Sequence, residues 1–517
     1  MSVPCVAEHD PREAQKLFTF EALEASYREC RKRKRGTANA LRFEHDLERN
    51  LIELAAELQG GTYQPRRSVC FLATRPKLRE IIASDFRDRV VHHFLVTRLE
   101  PIFERVFIHD SFASRKGKGT HAALDRLAEY IPQVTRNHTI RAWYAHLDIR
   151  SFFPSIDREI LHRLVEKRIP ASPTLRWLAA LWIFHDPTAG AIWKGDPKLR
   201  DKVPPGKSLF TAPPGKGLPI GNHTSQFFAN VYLNELDQFV KHQLKAPFYI
   251  RYVDDLVLLS PSREELVRWK EEIGGFLREH LLLELNERRS RIRPLSSGID
   301  FLGYVTHPRH RLLRRRVVGN LVESLERLEK ELTADAGGYR WVRYREGTSE
   351  HAESMLASYG AILKRASTWT LRRALRARFS WLARLFPPPS RKPFWRGAGS
   401  FPCFAAQAHA FRERFRGSIV LLEVGRFLEV RGRDAEALGR LLRLKVYRGR
   451  RGGACRWTRF PVERLGWFLD RAFASCVENI VIAAEEDEGL GRILARRAVA
   501  CGARAARTAG TWKTNAG

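Results

Sequence analysis

The stretch of sequence that decides the fold is Phe248-Tyr249-Ile250-Arg251-Tyr252-Val253-Asp254-Asp255-Leu256-Val257-Leu258-Leu259. Strand-forming apolar residues lie on both sides of two adjacent carboxylates, and this pattern predicts a buried β-hairpin. Because successive strand residues point to opposite faces, we expect the Asp pair at a tight turn, with Val253 and Leu256 anchoring the two arms. Carboxylates this close repel each other in an apolar setting unless a cation lies between them. An acidic turn without a function is the alternative interpretation, and the sequence around the hairpin argues against it.

The chain is strongly basic, with a formal net charge of +32 over 517 residues. Such an excess predicts a polyanionic partner, nucleic acid in the first place and an anionic membrane in the second. No apolar run is long enough to span a bilayer, and residues 1–10 lack the apolar core of a signal peptide, so we expect a cytoplasmic protein without a membrane partner. The 7 cysteines include no C-x-x-C pair, which favours reduced thiols and argues against a zinc site.

Helices and then strands are predicted ahead of the hairpin. Residues 14–59 carry apolar side chains at helical spacing, and the basic run 28–35 within them is either a solvated face or a phosphate contact. Residues 68–73 and 79–82 predict two strands joined by a turn. Lys77 and Arg79 lie two apart on an extended segment, so both project from one face and can grip a triphosphate. Ordinary surface charges are the alternative for this pair.

Three further segments contribute polar residues. Residues 110–121 interleave glycines with cations, Arg115 among them, before a helix over 122–130, so their backbone can approach phosphates closely. Residues 141–157 contain a strand that ends at Asp148 and continues into an aromatic pair. Residues 215–226 form a Gly/Pro loop before a helix that starts near Thr224. Because Asp148 lies far before Asp254 in the chain, a site that uses both carboxylates must be formed by tertiary structure.

The chain after the hairpin alternates between helical and extended patterns. We expect a helix over 263–280, a strand over 283–285, a basic patch over 288–293, a short strand over 299–304, and helices over 321–332 and 352–386. A Pro-rich break at 387–393 reads as part of a linker. Beyond it, residues 409–503 predict an α/β unit with strands over 418–424, 427–430, 444–446 and 479–486, and helices around 434–438 and 462–473.

The order of these features resembles the palm of a reverse transcriptase over about residues 15–380. Tyr252-Val253-Asp254-Asp255 is similar to motif C of that family, residues 147–153 to motif A, and residues 217–226 to motif B. Residues 285–290 resemble motif D, and residues 301–304 resemble the start of motif E. The resemblance implies an α+β right-hand polymerase with an N-terminal helical extension over 1–60, fingers and palm over 61–310 and a helical thumb over 311–386.

The resemblance also implies the chemistry, which is RNA-directed DNA synthesis with two Mg²⁺ ions, Mn²⁺ being the alternative metal. Asp148 and Asp254 would bridge both ions, Asp255 would be a weaker ligand, and the carbonyl of Ile149 would add one oxygen. Further residues match the family's nucleotide and template contacts. They are Lys77 and Arg79 at the triphosphate, Phe153 as a steric gate against a 2′-hydroxyl, Ile220, Gln226 and Arg289 near the nucleotide, and Arg115 at the template or triphosphate.

Motifs B and D each depart from the family pattern, and these departures bear on copying accuracy and on proton transfer, respectively. Motif B usually has Gln where this chain has Ile220, and Ser-Pro where it has Ser225-Gln226. An apolar residue beside the nascent base pair loses a polar contact, so discrimination should weaken, and this substitution resembles the enzymes of diversity-generating retroelements, which copy template adenines inaccurately. Arg289 replaces the motif D lysine. Since arginine stays charged, either another group protonates pyrophosphate or Arg289 acts only electrostatically.

The C-terminal unit resembles the N-terminal mismatch-recognition domain of the MutS repair family. The similarity lies in residues 424–429, 432–435 and 460–462 and in the final acidic strand. It implies that Phe427 wedges beside a mispaired base, where unstacking is cheap, and that Glu429 accepts a hydrogen bond from that base. A place for Phe427 in the core is the alternative. No P-loop follows, so a complete repair ATPase is excluded.

The sequence therefore predicts an α+β right-hand polymerase, a Pro-rich linker over 387–408, a small α/β MutS-I-like domain over 409–503 and a tail over 504–517. The leading hypothesis is low-fidelity cDNA synthesis in a diversity-generating retroelement. Expected partners are template RNA, the RNA/DNA duplex, dNTPs and a small basic accessory protein. A defence-associated or retron-like reverse transcriptase is the first alternative. A maturase-like RNA-binding protein is the second, and the intact Asp148, Asp254 and Asp255 argue against it.

Overall fold

The computed structural model describes residues 9–32, 37–74, 78–169, 172–336, 339–342, 347–379, 381–382, 418–424, 426–448, 456–474, 479–488 and 491–504. The chain divides into two compact units, Met1–Arg309 (unit one) and His310–Gly517 (unit two). Lys77 and the predicted linker 387–408 lie outside the described residues. Within the described ranges, each helix is either too short or too polar to serve as a bilayer-spanning segment.

Unit one begins with helices, as the apolar spacing of residues 14–59 predicts. Thr19 starts the second of them, because its hydroxyl accepts a hydrogen bond from the Ala22 N–H. The helices of unit one are α1 Pro11–Leu17, α2 Phe20–Arg31, α3 Ala38–His45, α4 Leu47–Gln59, α5 Phe86–Glu104, α6 Thr120–Val134, α7 Phe152–Ser155, α8 Arg158–Glu166, α9 Pro173–Phe184, α10 His223–Gln238 and α11 Arg263–Leu281.

Two sheets of unit one matter for the site. The first has the strand order β2-β1-β4, in which β1 (Val69–Ala73) pairs antiparallel with β2 (Arg79–Ala83) and parallel with β4 (Ile192–Lys194). The second, the central sheet, has the order β5-β6-β3-β7 and consists of β3 (Trp143–Asp148), β5 (Tyr249–Tyr252), β6 (Asp255–Ser260) and β7 (Arg291–Pro294). Leu256 and Leu258 of β6 are fully buried in the core that includes α10 and α11.

Several local predictions after the hairpin were wrong. Residues 283–285 form no strand, because Leu282 ends α11 in a left-handed conformation and Leu285 makes only an isolated bridge to Ile149. The single strand expected over 299–304 is a hairpin of β8 (Ile299–Phe301) and β9 (Tyr304–Thr306). The basic patch over 288–293, in contrast, is exposed as predicted, and its last residues also begin strand β7. The positive φ of Leu302 and Gly303 turns the chain back between β8 and β9.

Unit two combines helices with one large sheet of order β11-β12-β18-β17-β13-β14-β16-β15. Its helices are α12 Arg315–Leu332, α13 Thr348–Lys364, α14 Trp369–Arg378, α15 Arg433–Leu442 and α16 Leu465–Ala474, so the helix expected over 352–386 is interrupted before Trp369. Its strands are β10 Arg311–Leu313, β11 Thr333–Ala336, β12 Tyr339–Val342, β13 Ile419–Val424, β14 Phe427–Arg431, β15 Val446–Arg448, β16 Arg456–Pro461, β17 Asn479–Glu488 and β18 Gly491–Arg504.

The predicted thumb and the predicted C-terminal domain both contribute to that sheet. Residues 333–342 belong to the segment predicted as the thumb, and their strand β12 pairs with β18 of the C-terminal segment. Leu321 and Leu325 of α12 share a core with Val420 and Leu422 of β13. Strand β15 lies two residues later than expected, and the long strand β18 had no counterpart in the sequence prediction. The domain boundaries drawn from the sequence stay predictions.

A buried ion pair holds the hairpin that carries the two aspartates. The side chains of Arg251 on β5 and Asp237 on α10 are both 0 % exposed, and their closest approach is 2.6 Å. Asp237 also accepts a hydrogen bond from the Tyr249 hydroxyl at 2.8 Å, and Arg251 donates to the Asn230 side chain at 3.1 Å and to the Val253 carbonyl at 3.3 Å. These bonds fix both the strand and the start of the turn that follows it.

Arg251→Met should lower the free energy of unfolding of unit one by about 3–5 kcal/mol, because it leaves the buried Asp237 carboxylate without its cation. Arg49→Met is the matched control, since the Arg49–Glu53 pair of α4 is 80 % and 53 % exposed and should contribute about 1 kcal/mol or less. Urea unfolding of the full chain, with hydrogen exchange of residues 249–260 as a local probe, measures both. Equal losses of unfolding free energy in the two variants would contradict the stabilising role assigned to the buried Arg251–Asp237 pair.

Candidate active site

The register of the central sheet brings the three predicted carboxylates together. Strands β3 and β6 pair antiparallel with Asp148 directly opposite Asp255, while Asp254 lies in the two-residue turn between β5 and β6. Val253 is the other turn residue rather than an anchor of the strand, which corrects the expectation from the sequence. Its φ of 56° is unusual for a β-branched side chain and costs on the order of 1–3 kcal/mol.

The electrostatic state of Asp254 reflects this crowding. Burial first, and then the charges of Asp255 and Asp148, raise the pKa of the Asp254 carboxyl to about 7, while the positive charge of Arg79 acts in the opposite direction. Arg79 is an exposed residue at the start of β2. The described structure therefore brings this predicted nucleotide contact into the electrostatic environment of the carboxylates.

Asp148 is held by the segment that follows α11. The side-chain amide of Asn286 donates to Asp148 Oδ2 at 2.9 Å, and the backbone N–H of Asn286 donates to the Asp148 carbonyl at 2.7 Å. Arg289 Nη1 lies 3.7 Å from the same Oδ2, and Ser290 Oγ accepts the Asp148 N–H at 3.3 Å. The role of Asn286 was missed in the sequence, although it lies in the motif D-like segment beside Leu285.

Asp255 and Ile149 have different surroundings. His146 Nε2 lies 3.3 Å from Asp255 Oδ1, and the Asp255 side chain is 37 % exposed. His146 was not singled out in the sequence, although it lies two residues before Asp148 and therefore on the same face of β3. Ile149 is buried, and its backbone N–H donates to the Asp254 carbonyl at 3.4 Å. These contacts tie the end of β3 to the turn of the hairpin.

The chemistry of the donor set suits a divalent cation with hard oxygen ligands. Three carboxylates lie at one end of the sheet, where burial and then the charges of Asp255 and Asp148 raise the pKa of Asp254, and a divalent cation would neutralise their negative charge. Among the residues that the structure describes, no three His, Cys, Asp or Glu side chains already converge as a ligand cluster. Asp148 instead contacts Asn286, and Asp255 contacts His146.

The Gly-rich loop 215–222 packs against the turn that follows Asp148. Leu218 N–H donates to the Phe153 carbonyl at 2.9 Å, and Gly217 N–H donates to the Ile156 carbonyl at 2.8 Å. Gly217 has a φ of 89°, and a Cβ there would lie 2.4 Å from Leu209 Cδ1 and 3.2 Å from the Pro154 carbonyl oxygen. Only glycine fits this position. The loop thereby fixes the backbone of Phe153, whose side chain is half-buried.

The two departures in motif B lie at different places. The carbonyl of Ile220 accepts the Ile82 N–H from β2 at 2.9 Å, and the Ile220 side chain is half-buried. Gln226 is exposed on α10, and its side-chain oxygen accepts from the Ser114 hydroxyl at 2.9 Å. Ile220 therefore connects the loop to the first sheet, whereas Gln226 contacts the segment that precedes Arg115.

The surroundings of Arg115 are those of a structural residue. Its side chain is 6 % exposed and lies 2.6 Å from the Glu104 carboxylate. It also donates to the carbonyls of Ile108 at 2.7 Å and Ser111 at 2.8 Å. The guanidinium is thus engaged within the chain, and its contact with template or triphosphate stays a prediction. Lys77, the predicted partner of Arg79 on the triphosphate, lies outside the described residues.

The two predicted mismatch contacts lie on β14 of unit two. Phe427 begins the strand and is 37 % exposed, so it is not a core residue. Glu429, which points to the same face, is 6 % exposed, and its carboxylate lies 3.1 Å from the guanidinium of Arg431. Their contact with a mispaired base stays a prediction.

Comparisons with known proteins find a family model and several relatives that match part of this chain. Residues 73–306 match the family model described as Reverse transcriptase (RNA-dependent DNA polymerase). Protein YkfC of Escherichia coli K12 is 27% identical over 297 residues, which are 51% of this chain and 71% of that protein. Group II intron-encoded protein LtrA of Lactococcus lactis subsp. cremoris is 22% identical over 323 residues, which are 50% of this chain and 49% of LtrA.

A solved structure, apo telomerase from Candida tropicalis truncated from its C-terminal domain, matches with a TM-score of 0.33 and 10% identity. That match covers 48% of this chain and 53% of the telomerase chain. The chain thus spans about half the length of LtrA and of the telomerase.

At pH 8, above the pKa of about 7, Asp254→Asn should raise the melting temperature of the full chain in EDTA, because it removes a buried charge that Asp255 and Asp148 repel, at little change in volume. Addition of Mg²⁺ should stabilise the wild type more than the variant, since the variant has lost a carboxylate ligand. Glu279→Gln, an exposed carboxylate of α11, is the control and should change neither value. A lower melting temperature for Asp254→Asn in EDTA would show that the carboxylates do not repel.

Proposed function

We propose that the chain is an RNA-directed DNA polymerase, the enzyme class predicted from the sequence, with Asp148, Asp254 and Asp255 in its active site. The match of residues 73–306 to the reverse transcriptase family model supports this proposal. The observation that supports this site most strongly is the register of the central sheet, which sets Asp148 opposite Asp255 beside the turn that holds Asp254. Three distant carboxylates brought together in this way suit the chemistry of nucleotidyl transfer.

The proposed reaction joins the primer 3′-hydroxyl to the α-phosphate of a dNTP and releases pyrophosphate. Reverse transcriptases generally use divalent metal ions, typically Mg²⁺, which activate the hydroxyl and neutralise charge on the leaving group. Asp148 and Asp254 would hold both ions, with Asp255 and the Ile149 carbonyl as further ligands. Asn286 would act as a positioning residue, because its amide fixes the orientation of the Asp148 carboxylate.

The nucleotide would lie between the first sheet and the end of β3. Arg79, with Lys77, would bind the triphosphate, and the half-buried ring of Phe153 would exclude a ribose 2′-hydroxyl. Arg289 would act on the charge of the nucleotide and of Asp148 but not as a proton donor, because its guanidinium stays protonated. In this proposal residues 61–310 are the fingers and palm, residues 311–386 are the thumb, and template RNA and the RNA/DNA duplex are the partners.

The proposed biological role is inaccurate cDNA synthesis in a diversity-generating retroelement in the cytoplasm, with a small basic accessory protein as partner. It is supported by Ile220, an apolar side chain where the family usually has glutamine. Because the Ile220 backbone is hydrogen-bonded to Ile82, the substitution changes the side chain presented by the loop without requiring a new backbone. A defence-associated or retron-like enzyme is the alternative within the same class.

A maturase-like RNA-binding role is the alternative from another class. It is favoured by the similarity to LtrA, a group II intron-encoded protein. In that case the carboxylates would be dispensable for the biological activity. The role proposed for residues 409–503 is recognition of a mispaired base. It is supported by the exposure of Phe427, although the Glu429 carboxylate already contacts Arg431.

Asp254→Asn should reduce primer extension on an RNA template by more than about a hundredfold, since even partners of metal ligands cost about 10–100-fold when removed. Extension of a labelled DNA primer on a defined RNA template in Mg²⁺ measures the loss. Glu279→Gln is again the matched carboxylate control and should extend the primer at the wild-type rate. Undiminished extension by Asp254→Asn would sink the catalytic assignment, whereas a wild type inactive in extension but active in RNA binding would favour the maturase-like role.

Ile220→Gln should raise accuracy at template adenines, because the amide restores a polar contact beside the nascent base pair. Sequencing of cDNA made on one RNA template gives the error frequency at each base, with Ile220→Val as the control that keeps the site apolar. The wild type should misincorporate more at adenine than at the other three bases. Equal error frequencies at all four bases in the wild type would contradict the retroelement role without touching the polymerase assignment.

A further inference from the structure

Strands β14, β16 and β15 of unit two form a part of the large sheet with two very different faces. On one face Leu428, Val430 and Phe460 are buried against α15 and α16. The opposite face carries the residues that alternate with these. We call it the aromatic face and define it by Phe427, Glu429, Arg431, Lys445, Tyr447, Trp457 and Arg459.

Planar groups on the aromatic face stack on one another at its surface. The rings of Tyr447 and Trp457 lie side by side on paired strands with centroids 4.3 Å apart and an interplanar angle of 18°. The Arg459 guanidinium carbon lies 4.7 Å from the Phe427 ring centroid, 5.3 Å from that of Trp457 and 5.7 Å from that of Tyr447. Lys445 Nζ lies 5.5 Å from the Tyr447 centroid. Together these side chains form a continuous cluster of aromatic rings and cationic groups.

The charge of the aromatic face is positive. Among the seven residues that define the aromatic face, Glu429 alone carries a carboxylate. That carboxylate is buried and contacts Arg431. Arg459 and Lys445 are exposed, and no carboxylate lies within ion-pairing distance of either in the described part of unit two. The face therefore offers two exposed cations beside three aromatic rings, with Glu429 across from Arg459 on the paired strand. Its excess of positive charge is complementary to a polyanion.

The aromatic face is not the core of unit two. On this side of the sheet the neighbouring strand β13 is covered, since its Val420 and Leu422 pack against α12. Phe427 remains 37 % exposed, Arg459 is exposed, and Tyr447 and Trp457 are half-buried. One exposed and two half-buried rings that lie against an exposed arginine are typical of a binding surface rather than of a folded interior.

We propose that the aromatic face binds single-stranded nucleic acid. Unpaired bases would stack on Trp457, Tyr447 and Phe427, and Arg459 and Lys445 would contact bases and the phosphate backbone. Stacked rings at the surface of a sheet need bases whose faces are free, and the bases inside a regular duplex have none. The inference is independent of the polymerase site, because every residue that carries it lies in unit two.

The test uses the full chain in EDTA, so that no polymerisation occurs and a failure of the proposed catalytic function does not affect it. A 12-nucleotide single-stranded RNA that contains 5-iodouridine is bound and irradiated, and crosslinked peptides are mapped by mass spectrometry. Unlabelled single-stranded RNA, single-stranded DNA, matched duplex and duplex with one mismatch serve as competitors. We expect crosslinks to Tyr447 or Trp457. Unlabelled single strands should abolish these crosslinks, and matched duplex should leave them unchanged. Comparison of the RNA and DNA single strands as competitors shows which of the two is the ligand.

A pair of matched variants measures the contribution of the face. Arg459→Gln should reduce the crosslinks to these residues about tenfold at subsaturating RNA, the size expected for one base-stacking contact. Arg448→Gln is the control, since Arg448 is also exposed but lies on the alternate face of β15, and it should change them about twofold or less. Equal melting temperatures of both variants and the wild type exclude unfolding as the cause.

Three results would overturn the proposal. One is the absence of crosslinks in residues 445–459 at saturating RNA. Another is an equal loss of crosslinks in Arg448→Gln and Arg459→Gln, which would show that RNA binding depends only on the net charge of the chain. The third is stronger competition by the mismatched duplex than by either single strand, which would assign the face to mispaired bases instead.

Discussion

The buried pair of Arg251 and Asp237 is the interaction on which the arrangement of unit one depends. A guanidinium and a carboxylate without solvent contact are tolerable only when each satisfies the other, and here the geometry does so with further bonds to Tyr249 and Asn230. The same guanidinium also binds the Val253 carbonyl. A residue in the middle of an apolar strand thereby fixes the strained turn in which Asp254 lies.

Strain and repulsion are concentrated at the same end of the central sheet. Val253 adopts a conformation that a β-branched residue avoids, and burial, followed by the charges of Asp255 and Asp148, raises the pKa of Asp254 to about 7. Neither feature stabilises the fold by itself. Both persist because α10, the Gly-rich loop and the segment around Asn286 hold the surrounding backbone in place, so stability elsewhere maintains a site that is poised to accept positive charge.

Residues with a local signature could be predicted from the sequence, and residues defined by their partners could not. The apolar arms around Asp254 and Asp255 predicted the hairpin, and the strand ending at Asp148 was identified before its position opposite Asp255 was known. Arg251 lies within the hairpin sequence itself, but its partner Asp237 lies on another element, and no local sequence pattern indicates that the two residues pair. Asn286 was likewise hidden, because its importance comes from the hydrogen bond to Asp148.

Errors in the predicted elements have the same origin. Residues 283–285 look like a strand, but Leu282 has already ended α11 in a left-handed conformation, and only one bridge forms with Ile149. The basic patch over 288–293 is exposed as predicted, but the sequence did not indicate that residues 291–293 also pair with β3 as the edge strand of the central sheet. In unit two, the pairing of β12 with β18 joins segments that a Pro-rich break separates in the sequence. Long-range pairing of this kind has no periodicity to reveal it.

The bond between the Ile220 carbonyl and the Ile82 amide has a consequence for how such a chain evolves. A main-chain bond is indifferent to the identity of the side chain at its acceptor. Selection could therefore exchange one side chain for another at position 220 and retune copying errors, while the scaffold that supports the loop is inherited unchanged.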